Sequence, residues 1–148
     1  MPPSLRLKCN PTTRYSILRW SSSADISTTL KRMIDEKGTS FLSITTTSSE
    51  ISVVIDDELL ESMGPLSGPS FDRELGWISF SIDTSEPIPF DLVGILLSIA
   101  QPLAKSNVGI FALSTYNTDH VLIKEANLEL GKAALESAGH TFIISSEK

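Results

Sequence analysis

The feature that most constrains this chain is a weak internal repeat. The segment Ile44–Val54 can be laid over Leu113–Ile123 without a gap, at an offset of 69 residues. Residues of similar character coincide at the same offset on both sides of this segment: Ile26 with Ile95, Leu30 with Ile99, Ile34 with Leu103, Asp56 with Glu125 and Leu59 with Leu128. A repeat of this length exceeds the periods of solenoid proteins, so it indicates a duplicated domain.

A break in the pattern separates the two copies. The stretch Gly64–Ser70 contains two glycines and two prolines, which interrupt both helices and strands. We therefore predict two modules, residues 1–70 and residues 71–148.

The second module has a βαββαβ pattern. Its strands are predicted from alternating or β-branched apolar runs, and its helices from apolar residues spaced by three and four. The predicted elements are a strand at Trp77–Asp83, a helix that begins at Phe90 and whose end is marked by Pro102 and Asn107, strands at Val108–Leu113 and His120–Ile123 joined by a polar turn, a helix at Leu128–Ala138 and a strand at Thr141–Ile144. This order predicts an α+β, ferredoxin-like fold, with two helices on one face of an antiparallel sheet.

The first module repeats this order with a reduced second helix. Its predicted elements are a strand at Tyr15–Trp20, a helix at Ile26–Ile34, a hairpin of Phe41–Thr45 with Ile51–Ile55, and a short helix at Asp57–Met63. The short helix leaves room for a borrowed strand to complete the sheet, and the residues before Tyr15 are candidates for it.

Charge and composition limit the partners. The net charge of -6 argues against nucleic acid and anionic membranes, which clustered lysines and arginines would bind. No apolar run approaches the ~18 residues of a membrane span. Arg6, Lys8 and Asn10 interrupt the early apolar residues, so no secretory pattern is seen, and the single Cys9 cannot form an internal disulfide. We expect a cytoplasmic protein.

Other functions of this topology lack their key residues here. An RNA-binding sheet needs aromatic side chains on its central strands, which His120–Ile123 does not supply. A copper carrier needs a Cys-x-x-Cys loop, and an acylphosphatase-like site needs an arginine in the loop Thr84–Pro87. His120 and His140 have no ligand cluster around them, and nothing places a Ser-His-Asp triad. We predict no metal, no cofactor and no catalysis.

Four segments of the second module carry a recognisable pattern: Gly76–Trp77, Pro89–Leu96, Pro102–Ala104 and, most specifically, Leu113–Lys124 with its Ser-Thr-Tyr-Asn-Thr-Asp core. They resemble the ACT domains of the CASTOR-type family, which comprises short two-ACT proteins and longer arginine sensors. The modules of that family also resemble the regulatory ones of aspartate kinases. The resemblance implies two tandem ACT modules that sense a ligand and do not catalyse a reaction.

The same resemblance implies a ligand site. In the arginine sensors the ligand lies between ACT modules, held by the loop after the first strand, the start of the next helix and the Ser-Thr-aromatic turn. Carried over to this sequence, the site residues are Phe90, Asp91, Leu92, Gly94, Ser114, Thr115, Tyr116 and Asp119. This chain has two modules and the sensors have four, so such a site could require a homodimer, and the resemblance does not fix the ligand as arginine or another amino acid.

The chemistry of these residues suits an amino acid. Free N–H groups around Asp91–Gly94 could bind a carboxylate, and Asp119 could accept from an ammonium or guanidinium group. Each residue also has a purely structural alternative: Asp91 as a helix cap, Gly94 as a close contact of helix and sheet, Thr115 as an ordinary strand residue and Asp119 as a partner for turn amides.

Three functions follow from the sequence. The first is a regulatory protein that binds an amino acid. The second is a protein interaction module that binds a regulated partner through a sheet edge or a helix face, without a small ligand. The third, an enzyme, lacks any visible nucleophile, metal cluster or phosphate loop.

Overall fold

A computed structural model of the chain describes residues 4–85 and 93–144. The strands are β1 (Arg6–Cys9), β2 (Tyr15–Ser21), β3 (Leu42–Thr46), β4 (Glu50–Asp56), β5 (Asp72–Ile82), β6 (Phe111–Ser114), β7 (Asp119–Lys124) and β8 (Thr141–Ile144). The helices are α1 (Ser27–Glu36), α2 (Asp57–Ser62), α3 (Ile95–Lys105) and α4 (Leu128–Ser137), and a 3-10 turn at Glu125–Asn127 precedes α4. In the part of the chain that the structure describes, no helix has the length and apolar character to cross a membrane.

The chain divides into two compact units, residues 13–76 and residues 1–12 with 77–147. In the first unit the strand order is β3-β4-β2-β5, to which β5 contributes its first residues. Leu18 and Trp20 of β2 point into the core with Val53 and Ile55 of β4, while Arg19 between them is exposed. The short α2 is confirmed, and Asp56 caps it by accepting a hydrogen bond from the Glu58 amide at 2.9 Å.

The second unit contains β6-β7-β5-β1-β8, in that order. Strand β1 lies between β5 and β8, antiparallel to β5, where Leu7 faces Ile82, and parallel to β8, where Leu7 faces Phe142. Leu7 is fully buried and Cys9 is 2% exposed, so β1 is part of the hydrophobic core of this unit. The N-terminal residues thus complete the sheet of the second unit.

Helices α3 and α4 pack on this sheet through a small set of residues. Ile99 and Leu103 of α3 are buried in the core with Leu135 of α4. Gly131 lets α4 approach closely, because a Cβ built there would lie 2.7 Å from the terminal methyl group of Ile123. Pro102 lies inside α3, which ends at Lys105, between the two residues, Pro102 and Asn107, that were predicted to mark its end.

The predicted fold class is confirmed. Both halves have the α+β, βαββαβ order of a ferredoxin-like fold, although β1 adds a parallel pair to an otherwise antiparallel sheet. The predicted modules, 1–70 and 71–148, differ from the compact units because β1 pairs with β5 and β8. The borrowed strand of the first unit is the start of β5 and not a segment before Tyr15.

The internal repeat is real, but its offset at the hairpins is wrong by one residue. The β3–β4 hairpin closes on the facing pair Thr46 and Ile51. The β6–β7 hairpin closes on Ser114 and Asp119. The two hairpins therefore correspond at an offset of 68 residues and not 69.

Candidate ligand-binding site

The turn between β6 and β7 is held in one conformation by its two threonines. The Thr115 amide donates to the Thr118 carbonyl at 2.8 Å, and the Thr115 hydroxyl donates to the same oxygen at 3.2 Å. In return, the Thr118 amide donates to the Thr115 hydroxyl oxygen at 3.3 Å. Tyr116 lies at the tip of this turn with 83% of its surface exposed.

The Asp119 carboxylate is fixed across the hairpin. Ser114 and Asp119 face each other in the strand register, and the Ser114 hydroxyl donates a short hydrogen bond to Oδ1 of Asp119. Asp119 is half-buried at the first position of β7. A carboxylate oriented in this way can accept hydrogen bonds from an ammonium or a guanidinium group.

This turn lies beside the end of β5. The Thr118 hydroxyl is within 3.4 Å of the Ile82 carbonyl, to which it can donate a hydrogen bond. The structure therefore places Thr118, and Asp119 next to it in the chain, beside the point where the loop after β5 begins, while Ser114 faces Asp119 from β6.

That loop begins with Asp83, which the sequence did not single out. Asp83 accepts from the Ser85 amide at 3.2 Å and from the Ser85 hydroxyl at 3.0 Å. The backbone amide bond from Ser85 is the main cause that holds the pKa of Asp83 below its usual value, with smaller contributions from the Ser85 hydroxyl and the charges of Arg6 and Lys8. The Arg6 guanidinium lies 3.5 Å from the carboxylate, so the loop is tied to β1.

The Asp-x-Ser spacing of Asp83 and Ser85 is typical of an Asx turn. This spacing is the feature of the sequence from which the conformation at the start of the loop could have been predicted. The role of Arg6 had no local signal, because β1 is distant from β5 along the chain.

Of the remaining predicted residues, Gly94 alone is among those that the structure describes. Phe90, Asp91 and Leu92 fall outside the described residues. Gly94 precedes the first residue of α3 with a φ of 80°, a conformation that glycine adopts without strain, and its carbonyl accepts from the Ser98 amide at 2.9 Å. Nothing lies within 4 Å of a Cβ built on Gly94, so its backbone conformation accounts for the glycine better than close packing does.

His120 follows Asp119 on β7 and is a neutral group at pH 7. Burial lowers the pKa of the His120 imidazole, and the negative charge of Asp119 opposes this effect only in part. Among residues 4–85 and 93–144, no three His, Cys, Asp or Glu side chains are grouped so that they could hold a metal ion.

Residues 72–137, which include β5, the turn and the whole of α4, match the ACT domain family. The chain therefore contains an ACT domain. It is also homologous to CASTOR proteins. Human CASTOR3P is 28% identical over 106 residues, which cover 66% of this chain and 62% of CASTOR3P.

A second curated relative is the human cytosolic arginine sensor for mTORC1 subunit 1. It is 27% identical over 93 residues, which cover 61% of this chain and 28% of the sensor. This chain thus matches less than two thirds of the length of either relative.

Two solved structures extend the likeness over nearly the whole chain. Protein Atu0741 of Agrobacterium tumefaciens is 31% identical with a TM-score of 0.76, and the match covers 98% of this chain and 96% of that protein. The aspartokinase α and β subunits match with a TM-score of 0.62 over 92% of this chain and 98% of the matched chain. Their identity is 15%, so this second likeness shows the fold alone.

Proposed function

We propose that this ACT-domain protein is a non-catalytic regulator that binds an amino acid at the turn Ser114–Asp119 and the loop after β5. The observation that carries the proposal is the Asp119 carboxylate, which Ser114 orients beside the end of β5. Support comes from the homology to a protein named as a cytosolic arginine sensor and from the fold shared with the regulatory subunit of Thermus thermophilus aspartate kinase.

Asp119 would bind the positively charged part of the ligand. A charge-assisted hydrogen bond to an ammonium or guanidinium group is stronger than a neutral one. The Ser114 hydroxyl occupies Oδ1 of the carboxylate and fixes its orientation, so little rotational freedom is lost when a ligand binds. The hydroxyl groups of Thr115 and Thr118 lie in the same turn.

The start of α3 would bind the carboxylate of the ligand. Among the described residues, this helix has no acidic residue in its first turn and no side-chain cap, so no described carboxylate competes for its first backbone N–H groups. Gly94 has no side chain, so a ligand could approach the backbone closely at the start of α3. A zwitterion would then find an acceptor at Asp119 and donors at the start of α3.

A thermal-shift measurement tests the proposal. Purified chain is heated in the presence of each of the twenty amino acids, and one of them should raise the melting temperature. A ligand at 100 times its Kd stabilises the folded state by about 2.7 kcal/mol. Asp119→Ala should abolish the shift. Asp35→Ala serves as the matched control, because Asp35 is an exposed carboxylate of α1 that pairs with Lys31 and should not change the response.

A further variant separates charge from folding. Asp119→Asn keeps the size of the side chain and an acceptor for the Ser114 hydroxyl, but it removes the negative charge. If an amino acid binds this variant as tightly as it binds the unchanged chain, Asp119 is not the group that recognises the ligand.

A second candidate function is a protein interaction module. Strand β6 pairs with β7 alone among the described strands, so its other edge could accept an extended peptide by strand addition. The exposed Tyr116 at the end of this strand would offer an aromatic contact. This reading gains support if no amino acid changes the melting temperature and a partner protein protects β6 from hydrogen exchange.

Cytoplasmic location and a homodimer are further parts of the main proposal, in which the chain binds an amino acid.

A further inference from the structure

A cavity of about 490 Å³ lies between α3 and α4, on a different part of the domain from the turn Ser114–Asp119. Its volume falls within the range of small-molecule sites, roughly 300–1,000 Å³. Ser98 and His140 line it although they are only 4% and 3% exposed, so the cavity reaches down to buried polar groups.

Pro102 helps to form this cavity. Proline has no N–H, so the Ser98 carbonyl, four residues earlier, loses its normal partner in the helix. His140 replaces that partner: its Nε2 donates to the Ser98 carbonyl at 2.8 Å, because its Nδ1 already accepts from the Leu5 amide at 3.0 Å. The imidazole ring of His140, which lines the cavity, is therefore held by a hydrogen bond at each of its nitrogens.

Small side chains keep the space between the helices open. Helix α4 presents Ala133 and Ala134 to the cavity, and Ala138 follows its end. Leu130 and Pro102 add apolar surface toward the other end. A ligand here would contact mostly carbon, with a few polar groups at the ends, as is common for small-molecule sites.

The described residues that line the cavity include a positive charge and no carboxylate. Lys105 carries a positive charge at the end of α3, and none of the described residues that line the cavity is an aspartate or a glutamate. This is notable in a chain with a net charge of -6. From Ser98 to Lys105 the helix advances about 10 Å. The lining thus matches a molecule with an apolar body and a single negative charge at one end.

We propose that this cavity binds an apolar monocarboxylate about 10 Å long. Its carboxylate lies on Lys105, and its apolar body lies along Ala134 toward His140. The site is independent of the proposed amino-acid site, since the two share no residue.

Octanoate is a suitable probe, with octanol as the neutral analogue of the same length. In calorimetric titrations of the full chain, octanoate should bind more tightly than octanol. Ala134→Trp should abolish octanoate binding, because the indole fills the cavity. Lys105→Gln should weaken it roughly fivefold, the size expected for a solvent-exposed ion pair. Lys132→Gln is the matched control: Lys132 belongs to α4 but lies 6.0 Å from the Phe142 ring and does not line the cavity.

The proposal is overturned if octanoate does not bind the unchanged chain, if octanol binds as tightly, or if Lys105→Gln and Lys132→Gln bind octanoate equally. Lys105 is exposed, so its substitution tests the site even if Ala134→Trp does not fold. Asp119→Ala should leave octanoate binding unchanged; a loss there would assign the binding to the other site and overturn this one.

Discussion

At the scale of single residues, the raised pKa of Tyr15 connects protonation to stability. Tyr15 begins β2, and burial raises the pKa of its phenol to about 12, with the negative charge of Asp56 as the second cause. Asp56 is itself 5% exposed because its side chain caps α2. The folded chain therefore holds the Tyr15 proton more tightly than the unfolded chain does.

This difference predicts a loss of stability at high pH. The contribution of Tyr15 is complete below pH 10, the ordinary pKa of a phenol, and is lost as the pH rises from 10 to about 12. A shift of this size corresponds to about 3 kcal/mol. Tyr15→Phe should remove this part of the pH dependence, which urea unfolding at pH 8 and pH 11.5 measures. Tyr116→Phe, at the exposed turn, is the control; an equal effect of both variants would contradict the assignment to Tyr15.

The residues of the candidate site differ in how far the sequence reveals them. The pairing of Ser114 with Asp119 follows from a local hairpin, and a local pattern can predict it. Arg6 reaches Asp83 only because β1 pairs with β5, and no spacing within a short window carries that information. Local chemistry was therefore predictable at this site, and contacts across the sheet were not.

At the scale of elements, the hairpins show why an alignment of apolar residues can be wrong by one position. At an offset of 68, the core residue Val53 corresponds to the core residue Val121. At an offset of 69, Val53 corresponds to Leu122, whose side chain points to the opposite face of the sheet. Val121 and Leu122 are both fully buried, so hydrophobicity alone cannot show which of them corresponds to Val53. The hydrogen-bonded register of each hairpin decides.

Helix α3 also depends on His140, which lies outside the helix in the sequence. Pro102 has no N–H for the Ser98 carbonyl, but His140 supplies a donor in its place, and the helix continues from Pro102 to Lys105. The sequence could not show this, because His140 lies beyond α4 and reaches α3 only in the folded chain.

His140 replaces the N–H that Pro102 lacks, and this predicts that the effects of substituting Pro102 and His140 on stability are coupled. His140→Ala leaves the Ser98 carbonyl and the Leu5 amide without their present partner, which should cost about 2–4 kcal/mol. Pro102→Ala restores a backbone N–H to Ser98, so His140→Ala should cost less in that background by about 1 kcal/mol. Urea unfolding of the two single variants and the double variant measures the coupling. Additive effects would show that Pro102 does not create the need for His140.

At the scale of the whole molecule, the N-terminal strand is the feature that sequence reasoning placed incorrectly. Leu7 pairs with Ile82 and with Phe142, partners that lie far along the chain. Four residues of mixed character give a weak strand signal, and nothing local shows whether β1 joins the first module or the second. Pairing between distant segments is fixed by the packing of the complete core, in which Leu7 and Cys9 take part.

Removal of residues 1–12 should therefore weaken one unit more than the other. Each unit contains one tryptophan, Trp20 in residues 13–76 and Trp77 in residues 77–147, so Trp20→Phe and Trp77→Phe give chains that report on one unit each. The truncation takes Leu7 out of the core and exposes the hydrogen-bonding edges of β5 and β8. The urea midpoint reported by Trp77 should fall by more than the midpoint reported by Trp20, while removal of residues 1–3 alone should change neither by a comparable amount. A larger fall at Trp20 would mean that the N-terminal strand stabilises the first module after all, as the sequence alone had suggested.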